Sequence, residues 1–152
     1  VYFPFYELGG TKPIYFVGRS ILSCFPRYWN PPLDDFLPHR KSTVLWGLHR
    51  FQKPLSQAVI CEGIFSACHE ADRVAVLGKT VSDEQIKLIR QICTEEAIVC
   101  LDGGECMASG VMAYKLCHET SLKISVVHLP EGKDPDDLRD IAPWVKQRER
   151  IA

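Results

Sequence analysis

Apolar and polar positions along this chain follow two different rhythms. In residues 1–22 the apolar side chains come as two short aromatic and β-branched runs, "VYFPFY" and "IYFVGR", split by "ELGGTKP". Such runs suit pleated, half-buried strands, and Gly9-Gly10 supplies a turn, so an antiparallel hairpin is predicted. Pro4 suits its edge strand, where no ladder N–H is needed. Residues 24–43, "CFPRYWNPPLDDFLPHRKST", hold four prolines and little periodicity. They are expected to form a long loop with a functional role, given its basic and aromatic content.

From Ala58 the rhythm changes to strand and helix in alternation. "AVIC", "VAVL", "AIVCL" and "KISVVHL" read as four short buried strands. Helices are expected at 64–71, at "DEQIKLIRQIC" and at 105–118. Ile86, Ile89 and Cys93 recur at helical spacing in the second, and Ser82 with Gln85 forms a capping box at its start. Short strands alternating with helices predict an α/β fold with a mostly parallel sheet, helices on both faces, and a small antiparallel β-containing basic subdomain in front. By texture, residues 1–57 form that subdomain, 58–140 the sheet domain and 141–152 a tail.

Composition narrows the partners only slightly. The formal net charge is −1, from 18 basic and 19 acidic side chains, so a nucleic acid must be met by a local basic patch. Seven cysteines without C-x2-4-C pairs indicate reduced, buried thiols and no zinc site. No apolar run is long enough for a membrane span. The chain starts at Val1 inside a strand-like run, which favours excision from something larger.

The chemistry is expected at the carboxyl ends of the strands. Glu62 ends the first strand and Asp102 the third, while Asp134 and Asp136 follow the fourth. Carboxylates gathered on one rim repel one another unless a divalent cation neutralises them, and hard oxygen donors favour Mg²⁺ or Mn²⁺. Taken singly, Asp102 and Asp134 read first as helix N-caps, and the site reading takes over only when the acids are taken together at equivalent strand ends.

The words around these acids, "VICEGIFSA", "VAVLGKTVSDEQIKLIRQ", "IVCLDGGECMASGVMAYKL" and "ISVVHLPEGKDPDDL", resemble in order and spacing the TOPRIM domain of bacterial and phage DnaG-type DNA primases. Upstream, "VYFPFYELGGTKPIYFVGRSI", "PRYWNPP" and "HRKSTVLWGL" resemble the second half of the basic subdomain in the same polymerases. The resemblance implies a TOPRIM-type sheet and metal-dependent synthesis of short RNA primers from nucleoside triphosphates on single-stranded DNA. It implies a cytoplasmic setting, in a bacterium or a phage-infected host, and a replicative helicase contacted through regions outside these residues. By position, Glu62 would be the general acid/base or a metal contact, with Asp102, Asp134 and Asp136 on metal. Arg19, Arg27, Tyr28, Asn30, Arg40 and Lys41 would meet nucleotide or template, Lys41 also as a catalytic group.

Two positions depart from that pattern: Gly104 stands where the second aspartate of Asp-x-Asp is expected, and Ser66 where another acid is expected. Rival readings are therefore a weakened nucleic-acid-binding scaffold or, more remotely, a TOPRIM nuclease or topoisomerase. Other signals carry less. "LGKT" at 77–80 lacks the first glycine of a P-loop, since residue 73 is Arg73. Cys117 and His118 point about 100° apart on one helix, so they read as packing. His39 and His49 read as surface histidines, and Trp29 and Trp46 as packing residues.

Overall fold

The computed structural model describes residues 1–22, 25–32, 38–138 and 140–151. Cys24 and residues 33–37 of the predicted loop fall outside them. The hairpin forms as expected: β1 (Tyr2–Tyr6) pairs antiparallel with β2 (Pro13–Arg19), and β1 is the edge that Pro4 requires. Within the predicted loop, β3 (Tyr28–Trp29) adds to the other side of β2, and Lys41–Thr43 makes a turn of 3-10 helix. A two-residue strand is too short to show alternation, which is why the sequence pattern hides it.

The main sheet has five strands, one more than expected, in the order β5-β4-β6-β7-β8. Its strands are β4 (Leu55–Cys61), β5 (Arg73–Ala75), β6 (Cys93–Cys100), β7 (Lys123–Val126) and β8 (Glu149–Arg150). The first four in spatial order run parallel, and β8 is antiparallel. Alternate residues of the central strands face opposite ways, as the pleat dictates. Ala58, Ile60, Ala97 and Val99 pack on one side against α2 (Asp83–Ile92) and α3 (Cys106–Glu119) through Ile86, Ile89, Met112 and Leu116. Val59, Cys61, Ile98 and Cys100 pack on the other, where α1 (Ile64–Cys68), α4 (Pro135–Leu138) and α5 (Ala142–Lys146) lie, with Ala67, Ile141 and Trp144 among their contacts. Helix α1 is shorter than the 64–71 expected. The capping box of α2 is present: Ser82 Oγ accepts from the Gln85 N–H at 3.0 Å, and Gln85 Oε1 accepts from the Ser82 N–H at 3.1 Å.

The last twelve residues, set apart by sequence as a tail, instead supply α5 and the edge strand β8. Ile141 and Trp144 hold the start of this segment in the core, and its end is held by a polar, long-range contact that apolar periodicity could not show. Arg148 donates from Nε and Nη2 to both oxygens of Glu96 at 2.7 Å, on β6. Ser125 Oγ and Gln57 Nε2 each add a 2.6 Å bond to the same carboxylate. Glu96 is 6% exposed, and its hydrogen bonds to Arg148 hold its carboxyl well below the ordinary range, at about 2.

The two textures also share a core. The boundary expected at 57/58 falls inside β4, and Leu45, Leu48 and Phe51 pack into the α2-side cluster. Trp46 and Ala75 exchange backbone hydrogen bonds at 3.0 and 3.1 Å. Arg50, its guanidinium 4.8 Å from the Trp46 ring centre, donates to the carbonyls of Ala67, Glu70 and Arg73.

Candidate active site

Register alone brings two of the acids together. β4 connects outward to β5 on one side and its neighbour β6 connects to β7 on the other, so the connections diverge between them and a crevice opens at their carboxyl ends. Cys61 is the neighbour of Cys100, so Glu62 and Asp102 emerge side by side, one and two residues beyond that pair. Asp134 reaches the same edge by a close backbone approach. The Gly103 N–H donates to the Lys133 carbonyl at 2.6 Å, and a Cβ on Gly103 would sit 1.8 Å from the Pro130 carbonyl oxygen. Only glycine allows that contact. Gly103→Ala is therefore expected to push the 130–133 loop off the Asp102 turn and to lower Tm, as read by thermal melts.

Opposite the acids stands a basic wall. Arg19 on β2 and Tyr28 on β3 are register partners. The Arg19 guanidinium lies 5.2 Å from the Tyr28 ring centre and 4.3 Å from that of Phe65 on α1, so two aromatic faces hold its plane. Tyr15, buried in the hairpin, donates its hydroxyl to Asn30 Oδ1 at 3.2 Å. The Lys41 turn is gripped by the first turn of α2. Ser82 Oγ donates to the Ser42 carbonyl, and the buried Gln85 amide donates to the Val44 and Val76 carbonyls at 3.0 Å, with the Lys41 carbonyl at 3.2 Å.

Between wall and acids lies a cleft of about 490 Å³, and it collects nine of the ten residues singled out by sequence. Glu62, Asp102, Asp134, Asp136, Arg19, Arg27, Tyr28, Asn30 and Lys41 all line it. Arg40 does not. It precedes the Lys41 turn, and its N–H donates to Thr43 Oγ1 at 3.0 Å while its side chain faces solvent. Ser66 lines the cleft as a buried residue of α1. Gly104 has φ +93°, backbone that a side chain makes costly.

The four acids differ in how far they are committed. Asp134 Oδ1 accepts the Asp137 N–H at 2.7 Å, the capping role open to it from sequence, and Asp136 pairs with His69 Nε2 at 2.6 Å. Asp102 caps nothing: α3 starts at Glu105 without a side-chain cap. Glu62 Oε2 is buried with no hydrogen-bond partner. Burial, then Asp102, raises the Glu62 carboxyl above its ordinary range; burial, then Asp134 and Glu105, raises Asp102. These are hard oxygen donors with an unpartnered buried atom among them, so in kind they fit a divalent cation. Among the described residues no three His, Cys, Asp or Glu side chains already gather as a cage.

Sequence reasoning passed over three supports. Lys79, in the discounted "LGKT", pairs with Glu105 at 2.5 Å beside the acids. Gln85 reads from sequence only as a cap and Phe65 carries no sequence signal, and their contacts reveal what they position. The other signals make ring contacts away from the acids. His118 lies 4.2 Å from the Tyr114 ring centre and Trp29 5.8 Å from that of Phe16. The His49 ring lies tilted against Tyr6 with centres 4.8 Å apart, and burial, with Arg50 nearby, lowers its pKa.

An open α/β sheet with carboxylates at its strand ends, faced by a basic antiparallel hairpin, defines the class of this domain. Residues 59–139 match the Toprim-like family, and the chain belongs to it. Over 138 residues the chain is 30% identical to the DNA primase of Halalkalibacterium halodurans, covering 85% of this chain and 22% of that protein. The Aquifex aeolicus primase structure, comprising zinc-binding and RNA polymerase domains, superposes with a TM-score of 0.83 at 23% identity, covering 99% of this chain and 40% of that one. A DnaG primase catalytic domain bound to single-stranded DNA gives 0.79 at 24%, covering 99% and 53%. The fold is thus that of the DnaG-type core around its TOPRIM domain, and the chain spans under a quarter of the length of the curated relative.

Proposed function

We propose that this chain carries the nucleotidyl-transfer site of a DNA primase, joining nucleoside triphosphates on a single-stranded DNA template in the cytoplasm. The observation that carries the reading is the single cleft in which Glu62 and Asp102 face Arg19, Arg27 and Lys41. Relatedness to DNA primases, and a neighbour of the same fold bound to single-stranded DNA, support it. Mg²⁺ or Mn²⁺ held by Glu62, Asp102 and Asp134, with Asp136 once released from His69, would supply Lewis-acid stabilisation of the transferring phosphoryl group. Arg19, Arg27 and Lys41 neutralise triphosphate and template phosphates, and the aromatic faces around Arg19 fix the plane from which its N–H groups donate. Asn30, held by Tyr15, and Tyr28 orient the nucleotide. Glu62 lines the cleft with one carboxylate oxygen unpartnered, and would take a proton from the attacking hydroxyl or touch the cation.

The test is primer synthesis from nucleoside triphosphates on a single-stranded template with Mg²⁺ or Mn²⁺. Product that disappears with chelator and in Glu62→Ala supports the reading; product unchanged in Glu62→Ala sinks it. The scaffold reading draws on Gly104, Ser66 and the ungathered acids. It expects no product and salt-sensitive strand binding that chelator leaves unchanged.

A further inference from the structure

The six described cysteines do not share one setting. Cys61, Cys93 and Cys100 are buried, as expected of the thiols, but Cys68 and Cys106 are exposed. Cys68 is occupied locally, since its thiol donates to the Phe65 carbonyl at 3.1 Å. Cys106, the first residue of α3, instead has its sulfur 4.0 Å from His128 Nδ1, within hydrogen-bond reach for sulfur. On the far side of the ring, His128 Nε2 lies 2.9 Å from Glu149 Oε2. An ionised carboxylate can only accept there, so in the neutral imidazole Nε2 carries the proton and Nδ1 presents its lone pair to the thiol. Glu149 is the register partner of Val126, two residues before His128, and its neighbour Arg148 is clamped by Glu96. Strand pairing and clamp together set the carboxylate beside the ring.

We propose that Cys106, His128 and Glu149 form a thiol–disulfide exchange site, which takes a low-molecular-weight disulfide from solvent and retains half of it on Cys106. The three side chains come from α3, the segment after β7 and β8, and none lines the cleft of the acids, so the proposal stands apart from the metal-dependent reading. Nucleophile, base and orienting carboxylate follow one another in the order that activates a thiol, which is inert until it ionises. The start of α3 favours the thiolate as well, and the adjacent acid, Glu105, is paired with Lys79 at 2.5 Å. His128 Nδ1 takes the Cys106 proton while Glu149 stabilises the imidazolium from Nε2. The Cys106 sulfur attacks one sulfur of the disulfide, a new S–S bond forms, the old one breaks, and the departing thiolate takes the proton back from His128. The Cys106 sulfur is oxidised and the departing sulfur reduced, so the disulfide is the only oxidant required. All three side chains are open to solvent, which gives a small disulfide its approach.

Peptide mapping of the native full chain after timed exposure to glutathione disulfide at neutral pH tests this, with Cys68 read in the same molecule as a second exposed thiol. Cys106 is expected to form the mixed disulfide at least about tenfold faster than Cys68, and dithiothreitol to reverse it. His128→Gln is expected to slow Cys106 about tenfold and Glu149→Gln about threefold, with the Cys68 rate unchanged in both. The loss must be confined to Cys106, because a merely structural effect of either substitution would also admit the reagent to the buried Cys61, Cys93 and Cys100. Equal rates at Cys106 and Cys68 in the wild type overturn the proposal. So does a Cys106 rate that neither substitution lowers.

Discussion

Asp102→Asn is expected to lower primer synthesis at least about 100-fold while making the metal-free chain more stable. The two effects share a cause. Asp102 is raised above its ordinary range by burial and by Asp134 and Glu105, so ionising it in the folded state opposes folding. A carboxyl raised in this way contributes stability that is complete below its unfolded pKa and is lost as the pH rises through the folded one. At neutral pH the wild type has lost that contribution, whereas the amide carries no charge to repel. Each kcal/mol recovered raises Tm by about 2–4 °C. Thermal melts in chelator should show the variant above wild type at pH 7, with the gap closing as acid protonates Asp102. Added Mn²⁺ should reverse the order, because only the wild type gains a neutralising ion. A variant less stable than wild type in chelator at pH 7 would contradict the electrostatic account of this crevice.

The second large effect lies away from the cleft. Arg148→Ala is expected to cost about 3 kcal/mol, because it leaves the Glu96 carboxylate buried with its bidentate partner gone. Arg148→Lys should recover only part, since a point ammonium cannot make both 2.7 Å bonds at once. The pH dependence has the opposite sign from that of Asp102. Glu96 is depressed from 4.5 to about 2, so its contribution is present above 4.5 and disappears as the pH falls toward 2. Urea unfolding at pH 7 and at pH 3 should therefore separate wild type from Arg148→Ala widely in the first and narrowly in the second. Equal midpoints at pH 7 would rule the pair out as a clamp.

What could be read in advance followed from repetition and adjacency. The hairpin, the four parallel strands and the capping box at Ser82 and Gln85 each leave a periodic or short-range mark, and each is present. The acids of the crevice were legible because a residue that follows a parallel strand must lie at that strand's carboxyl edge. The fifth strand was not legible, because Arg148 and Glu96 are 52 residues apart and hydrophobic rhythm does not encode an ion pair. Lys79 was missed for a related reason. Its surroundings suggested a broken phosphate loop, whereas its partner Glu105 sits 26 positions later on another element. Arg40 shows the limit of reading a basic run as one patch: two adjacent cations on a tight turn face different ways.

Gln85 ties Lys41 mechanically to the acids rather than to the arginines. Its amide fastens the 41–44 turn to the helix that packs on the main sheet, whereas Arg19 stands on the hairpin sheet with Arg27 just before its third strand. The positive side of the site therefore stands on two separate footings, one on the helix behind the main sheet and one on the hairpin.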